Sequence, residues 1–203
     1  PTAVKNAVLT ILYSFNEHSV DELLKIANDK SANSIKSVNL LCKMAAKGIE
    51  EEKIIDSIIY IMDTFSDENI IATLGFLSQV KNNTKVLKTL EVYFKKYIYD
   101  NNIESAYDIT LSIINNVGNY TTEQLIFLKA VAISDEVLEL SMILKDEKGT
   151  FDLSSVPEDL RLKATLSFYS LYNKDEEINS KLMYLRDNSL DIELRKYLTE
   201  ILE

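Results

Sequence analysis

The sequence has few of the residues that interrupt helices and few of those that carry metal, redox or nucleophilic chemistry. Its 203 residues include two prolines, four glycines, one cysteine, one histidine and no tryptophan. A single cysteine excludes an intrachain disulfide. The glycine-rich loops that cradle phosphates and the Gly-x-Ser-x-Gly nucleophile motif are absent from the sequence. No apolar run reaches the roughly 18 residues of a membrane-spanning helix.

The remaining candidates for catalysis or metal binding have simpler explanations. His18 stands where we expect an exposed junction between helices, and Cys42 lies in an apolar run that predicts a small buried side chain. The acidic clusters at 50–52, 146–147 and 175–177 fall at predicted helix starts or in loops, where carboxylates complement the helix dipole. We therefore predict no catalytic residue, no metal site and no cofactor.

Acidic residues outnumber basic ones, 32 to 22, and the net charge is -10. A molecule of this charge repels nucleic acid and anionic membranes as a whole. The first residues, Pro-Thr-Ala-Val-Lys, lack the layout of a signal peptide. We expect a cytoplasmic protein without a membrane partner.

Apolar residues recur at the spacing of amphipathic helices along almost the whole chain, and no segment shows sustained strand alternation. This pattern predicts an all-α fold of about twelve short helices. The predicted spans are 2–16, 19–29, 32–47, 50–64, 67–81, 83–99, 102–117, 121–133, 135–146, 157–172, 175–187 and 191–203. We predict a single domain over residues 1–203, with a loop or joint at 146–155.

Local signals at helix ends support these spans. Three segments have the capping-box pattern, in which the first and fourth residues satisfy each other's backbone N–H groups: Ser19-x-x-Glu22, Thr121-x-x-Gln124 and Ser155-x-x-Glu158. Pro157 is expected in the first turn of its helix. Gly48 and Gly118 stand where helices end and are candidate left-handed caps.

Short segments recur along the chain. Residues 71–77 align with 108–114 at an offset of 37, and residues 158–161 align with 192–195 at an offset of 34. Such periods are typical of stacked helical hairpins.

In these segments the chain resembles proteins with HEAT/armadillo-type repeats. The resemblance lies in Asp191–Leu202, Pro157–Ala164 and Ala72–Leu77, where an acidic residue opens a helix and Arg or Lys follows, or where the pattern Ala-x-Leu-Gly-x-Leu occurs. Asn69 stands where the family often has a basic residue, and residues 121–146 match poorly. The resemblance implies a right-handed stack whose faces bind proteins or, sometimes, nucleic acid, and it implies no reaction.

Two structural alternatives stay open beside this resemblance. A tetratricopeptide array suits the 34-residue offset, but the sequence has no tryptophan and no recurring Leu-Gly…Tyr…Ala…Phe…Pro series. A compact irregular helical bundle is the other alternative.

The predicted helix 83–99 and the residues just before it reverse the charge of the chain locally. Five lysines between Lys81 and Lys96 face a single acid, Glu91, and aromatic residues are interleaved with them. The candidate partner-binding residues are Lys85, Lys88, Tyr93, Lys95, Lys96 and Tyr99. The simpler interpretation is a solvated lysine face beside a core stripe of Val86, Leu87, Leu90, Phe94 and Tyr97.

Three functions follow from these observations. The first is a non-catalytic protein-interaction module, such as an adaptor, scaffold or regulatory subunit, with an acidic partner at the lysine-rich helix. The second is nucleic-acid binding through the Lys81–Lys96 face, which the absence of arginine there makes a weaker interpretation. The third is an enzyme that acts through carboxylates. Should the lysine face be an ordinary surface, the C-terminal tyrosines are the next candidates for binding: Tyr169, Tyr172, Tyr184 and Tyr197.

Overall fold

Helices dominate the structure, as the periodicity of the sequence predicted. The computed structural model describes residues 2–14, 16–29, 31, 33–133 and 137–203. Within these residues there are eleven α-helices, two short 3₁₀ helices at Asn16–Ser19 and Leu140–Met142, and one two-stranded sheet. The α-helices are α1 Thr2–Ser14, α2 Val20–Asn28, α3 Ser34–Ala45, α4 Glu51–Met62, α5 Asp67–Leu77, α6 Thr84–Tyr99, α7 Ile103–Val117, α8 Thr122–Ile133, α9 Glu158–Leu171, α10 Glu176–Asn188 and α11 Ile192–Leu202. The strands are β1 Val137–Glu139 and β2 Thr150–Asp152.

The predicted helix at 135–146 is wrong. Residues 135 and 136 lie outside the described residues, and the rest of the span forms β1 and a 3₁₀ turn. β2 pairs with β1 in antiparallel register, Leu138 opposite Phe151. Both of these side chains are buried, and the Phe151 ring lies 6.1 Å from the Phe127 ring between centroids. Burial of this pair outweighs the local helical pattern. Each strand has only three residues, which is too short for the alternation of a strand to be recognised in the sequence.

Local signals correctly predicted several helix ends. At α8 the Thr121 N–H donates to Oε1 of Gln124 at 2.9 Å, and the Gln124 N–H donates to Oγ1 of Thr121 at 3.3 Å, which completes the predicted capping box. Gly48 and Gly118 have φ of +80° and +75°, just after α3 and α7. A side chain is strained in that left-handed conformation, which explains the glycines.

Two of the predicted capping boxes do not form. Ser19 precedes α2, but its side chain does not cap the helix, and the serine is 1% exposed. Helix α9 begins at Glu158, so Pro157 is its N-cap residue instead of lying in its first turn. Ser155 therefore stands too early to cap α9.

The chain divides into two compact units, of which the first comprises Pro1–Tyr97 and Asp108–Asn119. In this unit α2 packs on α3 and α4, and α3 packs on α4 and α5. The Lys85 ammonium group of α6 reaches Asp56 of α4, and the Asn116 amide of α7 donates to the Val80 carbonyl just after α5 at 2.7 Å. These contacts place α4 next to both α2 and α6. Leu41, Ile58 and Leu74 are fully buried.

The second unit comprises Ile98–Tyr107 and Tyr120–Glu203. Helix α8 packs against α9, and α10 contacts α8, α9 and α11. The loop at 146–155 lies inside this unit and contains β2. Its core includes Phe168 and Leu198, and Ile201 is half-buried. The single domain over residues 1–203 stays a prediction.

Within the described part of the chain, no helix combines the length and the apolar character that crossing a membrane requires.

Candidate protein-interaction surface

Helix α6 places the lysines of the predicted patch on one exposed side. Lys85, Lys88, Lys95 and Lys96 are all exposed, and their spacing puts them within one half of the helix circumference. Val92 lies in the middle of this group and is 59% exposed. We call these five residues the α6 stripe.

The two predicted tyrosines also belong to α6. Tyr93 is half-buried at its edge, and Tyr99 is 52% exposed at the C-terminal end of α6. Residues up to Tyr97 belong to the first unit, and Tyr99 belongs to the second. On the opposite side of the helix, Val86, Leu90 and Tyr97 are buried. The predicted lysine face is therefore present, whereas Leu87 and Phe94 of the predicted core stripe are only half-buried.

Neighbouring acids partly neutralise the lysines. The Lys85 ammonium group lies 2.7 and 2.9 Å from the two carboxylate oxygens of Asp56, and the hydrogen bond to Asp56 raises the pKa of Lys85. The Lys96 ammonium group lies 3.8 Å from Asp67 and 5.7 Å from the centroid of the Tyr93 ring. The reversal of charge seen in the sequence is thus smaller on the folded surface.

Polar contacts align α2, α4 and α6. The Lys53 ammonium group of α4 lies 2.9 Å from Asp21 of α2. The Asn83 amide donates to Oε1 of Glu51 at 2.8 Å, and Lys85, two residues later, donates to Asp56, five residues after Glu51. Because a later residue of one segment contacts a later residue of the other, α4 and α6 run in the same direction. Exposed side chains of α4 and α6 therefore meet at Asp56 and Lys85.

An open groove of about 680 Å³ lies between α2 and α4. Its lining residues are Asp21, Leu24, Lys25, Asn28, Asp56, Ser57, Tyr60 and Ile61. Tyr60 is 83% exposed, so a large aromatic ring stands in solvent at the groove. An aromatic ring of this kind, with an apolar body and a polar tip, is typical of protein-binding surfaces.

Sequence reasoning missed Tyr60 and Val92, although a signal was present for both. In α4 the buried residues Ile54, Ile58 and Ile61 define the core side, and Tyr60 falls outside that stripe. Val92 falls among the lysines, away from the buried residues of α6. An apolar residue on the polar side of an amphipathic helix is the signal that could have identified them.

The residues weighed for catalysis are placed as the sequence predicted. Cys42 is fully buried, and burial raises the pKa of its thiol to about 12, so it is a poor nucleophile. His18 is exposed in the 3₁₀ turn before α2. The acids at 50–52 and 175–177 lie at the starts of α4 and α10. Among the residues that the structure describes, no three His, Cys, Asp or Glu side chains converge in a way that could hold a metal ion.

No family model matches this chain, and neither a curated protein nor a solved structure is found to be similar to it.

Proposed function

We propose that this protein is a non-catalytic interaction module, an adaptor, scaffold or regulatory subunit, that binds a partner protein across α2, α4 and α6. The observation that carries the proposal is the exposure of Tyr60, which lines the open α2–α4 groove, and of Val92 on the neighbouring helix α6. Large apolar side chains surrounded by charged residues are the usual composition of a binding surface.

The side-by-side placement of alternate helices supports a further part of the same proposal. Contacts of α2 with α4 and of α3 with α5 are those expected of stacked helical hairpins. We therefore propose a right-handed stack of the HEAT/armadillo type, in which α2, α4 and α6 are successive helices of one face. A module of this kind exposes more surface for its mass than a compact bundle does.

The charges on the surface favour an acidic protein partner over nucleic acid. Lys85 and Lys96 already pair with Asp56 and Asp67, which reduces the positive charge available to neutralise phosphates. Lys88 is an exposed cation about one turn before Val92. A protein segment that combines an apolar side chain with a few carboxylates complements this arrangement.

Photo-crosslinking in living cells tests the proposal. A benzoylphenylalanine residue replaces Tyr60 in one variant and Val92 in another, with the same replacement of the exposed Val137 in the second unit as the control. We expect the first two variants, but not the control, to crosslink to the same protein. Adding Lys88→Glu should weaken that crosslink, and raising the salt concentration should weaken binding of the purified pair.

Two outcomes would contradict the proposal. One is the absence of any protein crosslinked at position 60 or 92 above the level of the control. The other is a gel shift of a labelled DNA duplex or single strand by the wild type at low salt, with the steep salt dependence of counterion release. The second outcome would support the nucleic-acid interpretation instead.

A further inference from the structure

A second groove, of about 360 Å³, lies between α10 and α11. Its lining residues are Arg186, Asp187, Ile192, Arg195, Lys196 and Thr199. Three of these side chains are cationic and one is anionic, although the chain as a whole has a net charge of -10. The groove holds two of the three arginines of the sequence.

A well-defined turn presents apolar side chains beside this groove. Leu190, between α10 and α11, is 99% exposed, and Ile192, in the first turn of α11, is 60% exposed. The Asp191 N–H donates to Oγ of Ser189 at 3.1 Å, and Oδ1 of Asp191 accepts from the N–H groups that open α11, at 2.9 and 3.0 Å. These bonds hold the turn in place, so Leu190 is kept in solvent by ordered backbone.

The cations of the groove differ in how far they are already engaged. Nε and Nη2 of Arg186 lie 2.8 and 3.3 Å from the Asp187 carboxylate, and this hydrogen bond lowers the pKa of Asp187. Lys196 pairs with Glu193 at 3.0 Å across one turn of α11. Within the described residues the Arg195 guanidinium group makes no ion pair. Arg195 therefore presents all its N–H donors to an incoming ligand.

We propose that the α10–α11 groove is a second binding site, which takes an acidic segment of a partner protein. A carboxylate of that segment pairs with Arg195, which is suited to bidentate contact, and an apolar side chain of the segment covers Leu190 and Ile192. Arginine is enriched among the residues that dominate binding energies. Asp187 in the lining, together with the exposed leucine and isoleucine, disfavours a densely charged polyphosphate ligand.

This site lies in the second unit and does not depend on the surface of α2, α4 and α6. Random peptides displayed on phage, selected on the immobilised wild-type protein at low salt, provide the probe. We expect enrichment of peptides that combine Asp or Glu with large apolar residues. Selection on the double variant Arg195→Glu/Lys196→Glu should lose these sequences.

The most enriched peptide is then synthesised with a fluorescent label, and its binding is measured by anisotropy. The double reversal should weaken binding at least about tenfold, because it replaces attraction by repulsion. Ile192→Ser should weaken binding without changing its salt dependence, because it removes apolar contact only. The control Lys163→Glu/Lys174→Glu makes the same charge change at exposed positions of the same unit and should leave binding within about twofold of wild type.

Several results would overturn this inference. They are the absence of any enriched peptide, enriched peptides without an excess of acidic residues, and equal weakening by the control variant. Sedimentation analysis supplies a further check on what covers the groove. A wild-type dimer that dissociates on Ile192→Ser would mean that a second copy of this chain occupies the α10–α11 groove, and the proposal of an acidic partner would be wrong.

Discussion

The Asp175 carboxylate caps the start of helix α10 and also pairs with Lys129 of α8. Different replacements of Asp175 can separate the effects of these two interactions. Oδ1 of Asp175 accepts from the Ile178 N–H at 3.1 Å and caps the helix. Oδ2 receives a hydrogen bond from the Lys129 ammonium group of α8 at 2.7 Å. The side chains of Asp175 and Lys129 are only 17% and 30% exposed, so this pair is partly shielded from water. Asp175→Ala removes both interactions, whereas Asp175→Asn keeps a side chain that can cap the helix and removes the charge.

The two interactions have separable magnitudes. Loss of a helix N-cap costs about 0.5–2 kcal/mol. The ion pair contributes about 1 kcal/mol, more than a fully exposed pair, but part of it is recovered because Lys129 still has Glu177 at 3.1 Å. We therefore expect Asp175→Ala to lower the free energy of unfolding by about 2 kcal/mol and Asp175→Asn by about 1 kcal/mol. Urea unfolding followed by circular dichroism at neutral pH measures both values.

The dependence on pH provides an internal control. Burial disfavours the charged form of Asp175, but the hydrogen bonds from Lys129 and from the Ile178 N–H outweigh it and hold the pKa of Asp175 below its ordinary value of 3.8. A carboxyl whose pKa is lowered by folding contributes stability above its unfolded pKa and loses that contribution as the pH falls through the folded pKa. The difference in free energy of unfolding between wild type and Asp175→Asn should therefore be largest at neutral pH and should decrease as the pH falls below 3.8.

A loss below about half a kcal/mol for Asp175→Ala would refute this reasoning, because it falls at the lower limit expected for the cap alone. The reasoning would also be refuted if the difference in free energy of unfolding between wild type and Asp175→Asn stayed constant as the Asp175 carboxyl becomes protonated.

Two further substitutions test the core. Leu74→Ala should cost about 2–5 kcal/mol, because a fully buried side chain leaves a cavity, whereas Tyr60→Ala should change stability by less than about 0.5 kcal/mol. Equal effects in urea unfolding would show that the core side has been misassigned. Phe151→Ala should cost about 3–5 kcal/mol, since this buried ring joins the β-hairpin to Phe127 of α8. A loss under about 1 kcal/mol on thermal or urea unfolding would show that the hairpin is not part of the core.

The sequence was a good guide wherever the deciding interaction lies within about one helical turn. The Thr121–Gln124 capping box joins residues three apart, and Gly48 and Gly118 each adopt a left-handed backbone conformation that glycine favours. The buried sides of the helices, with Leu74 and Leu198, follow from apolar spacing that any amphipathic helix must bury.

Interactions between distant residues decided what the sequence did not reveal. Leu138 pairs with Phe151 across the hairpin, and their burial turns a helical pattern into strands. Lys85 meets Asp56 only because α4 and α6 lie side by side, so the charge of the lysine-rich helix cannot be read from that helix alone.

For the candidate binding surfaces, too, some properties follow from nearby residues in the sequence and others only from helix packing. The sequence by itself determined that the chain is helical, which side of each helix is apolar, and that lysines gather on α6, because these properties depend on residue order within a few positions. Only the tertiary structure decided that Tyr60 stands beside a groove and that Arg186 and Arg195 line another. Each groove forms where side chains of two separate helices meet, and the packing of whole helices determines which residues meet there.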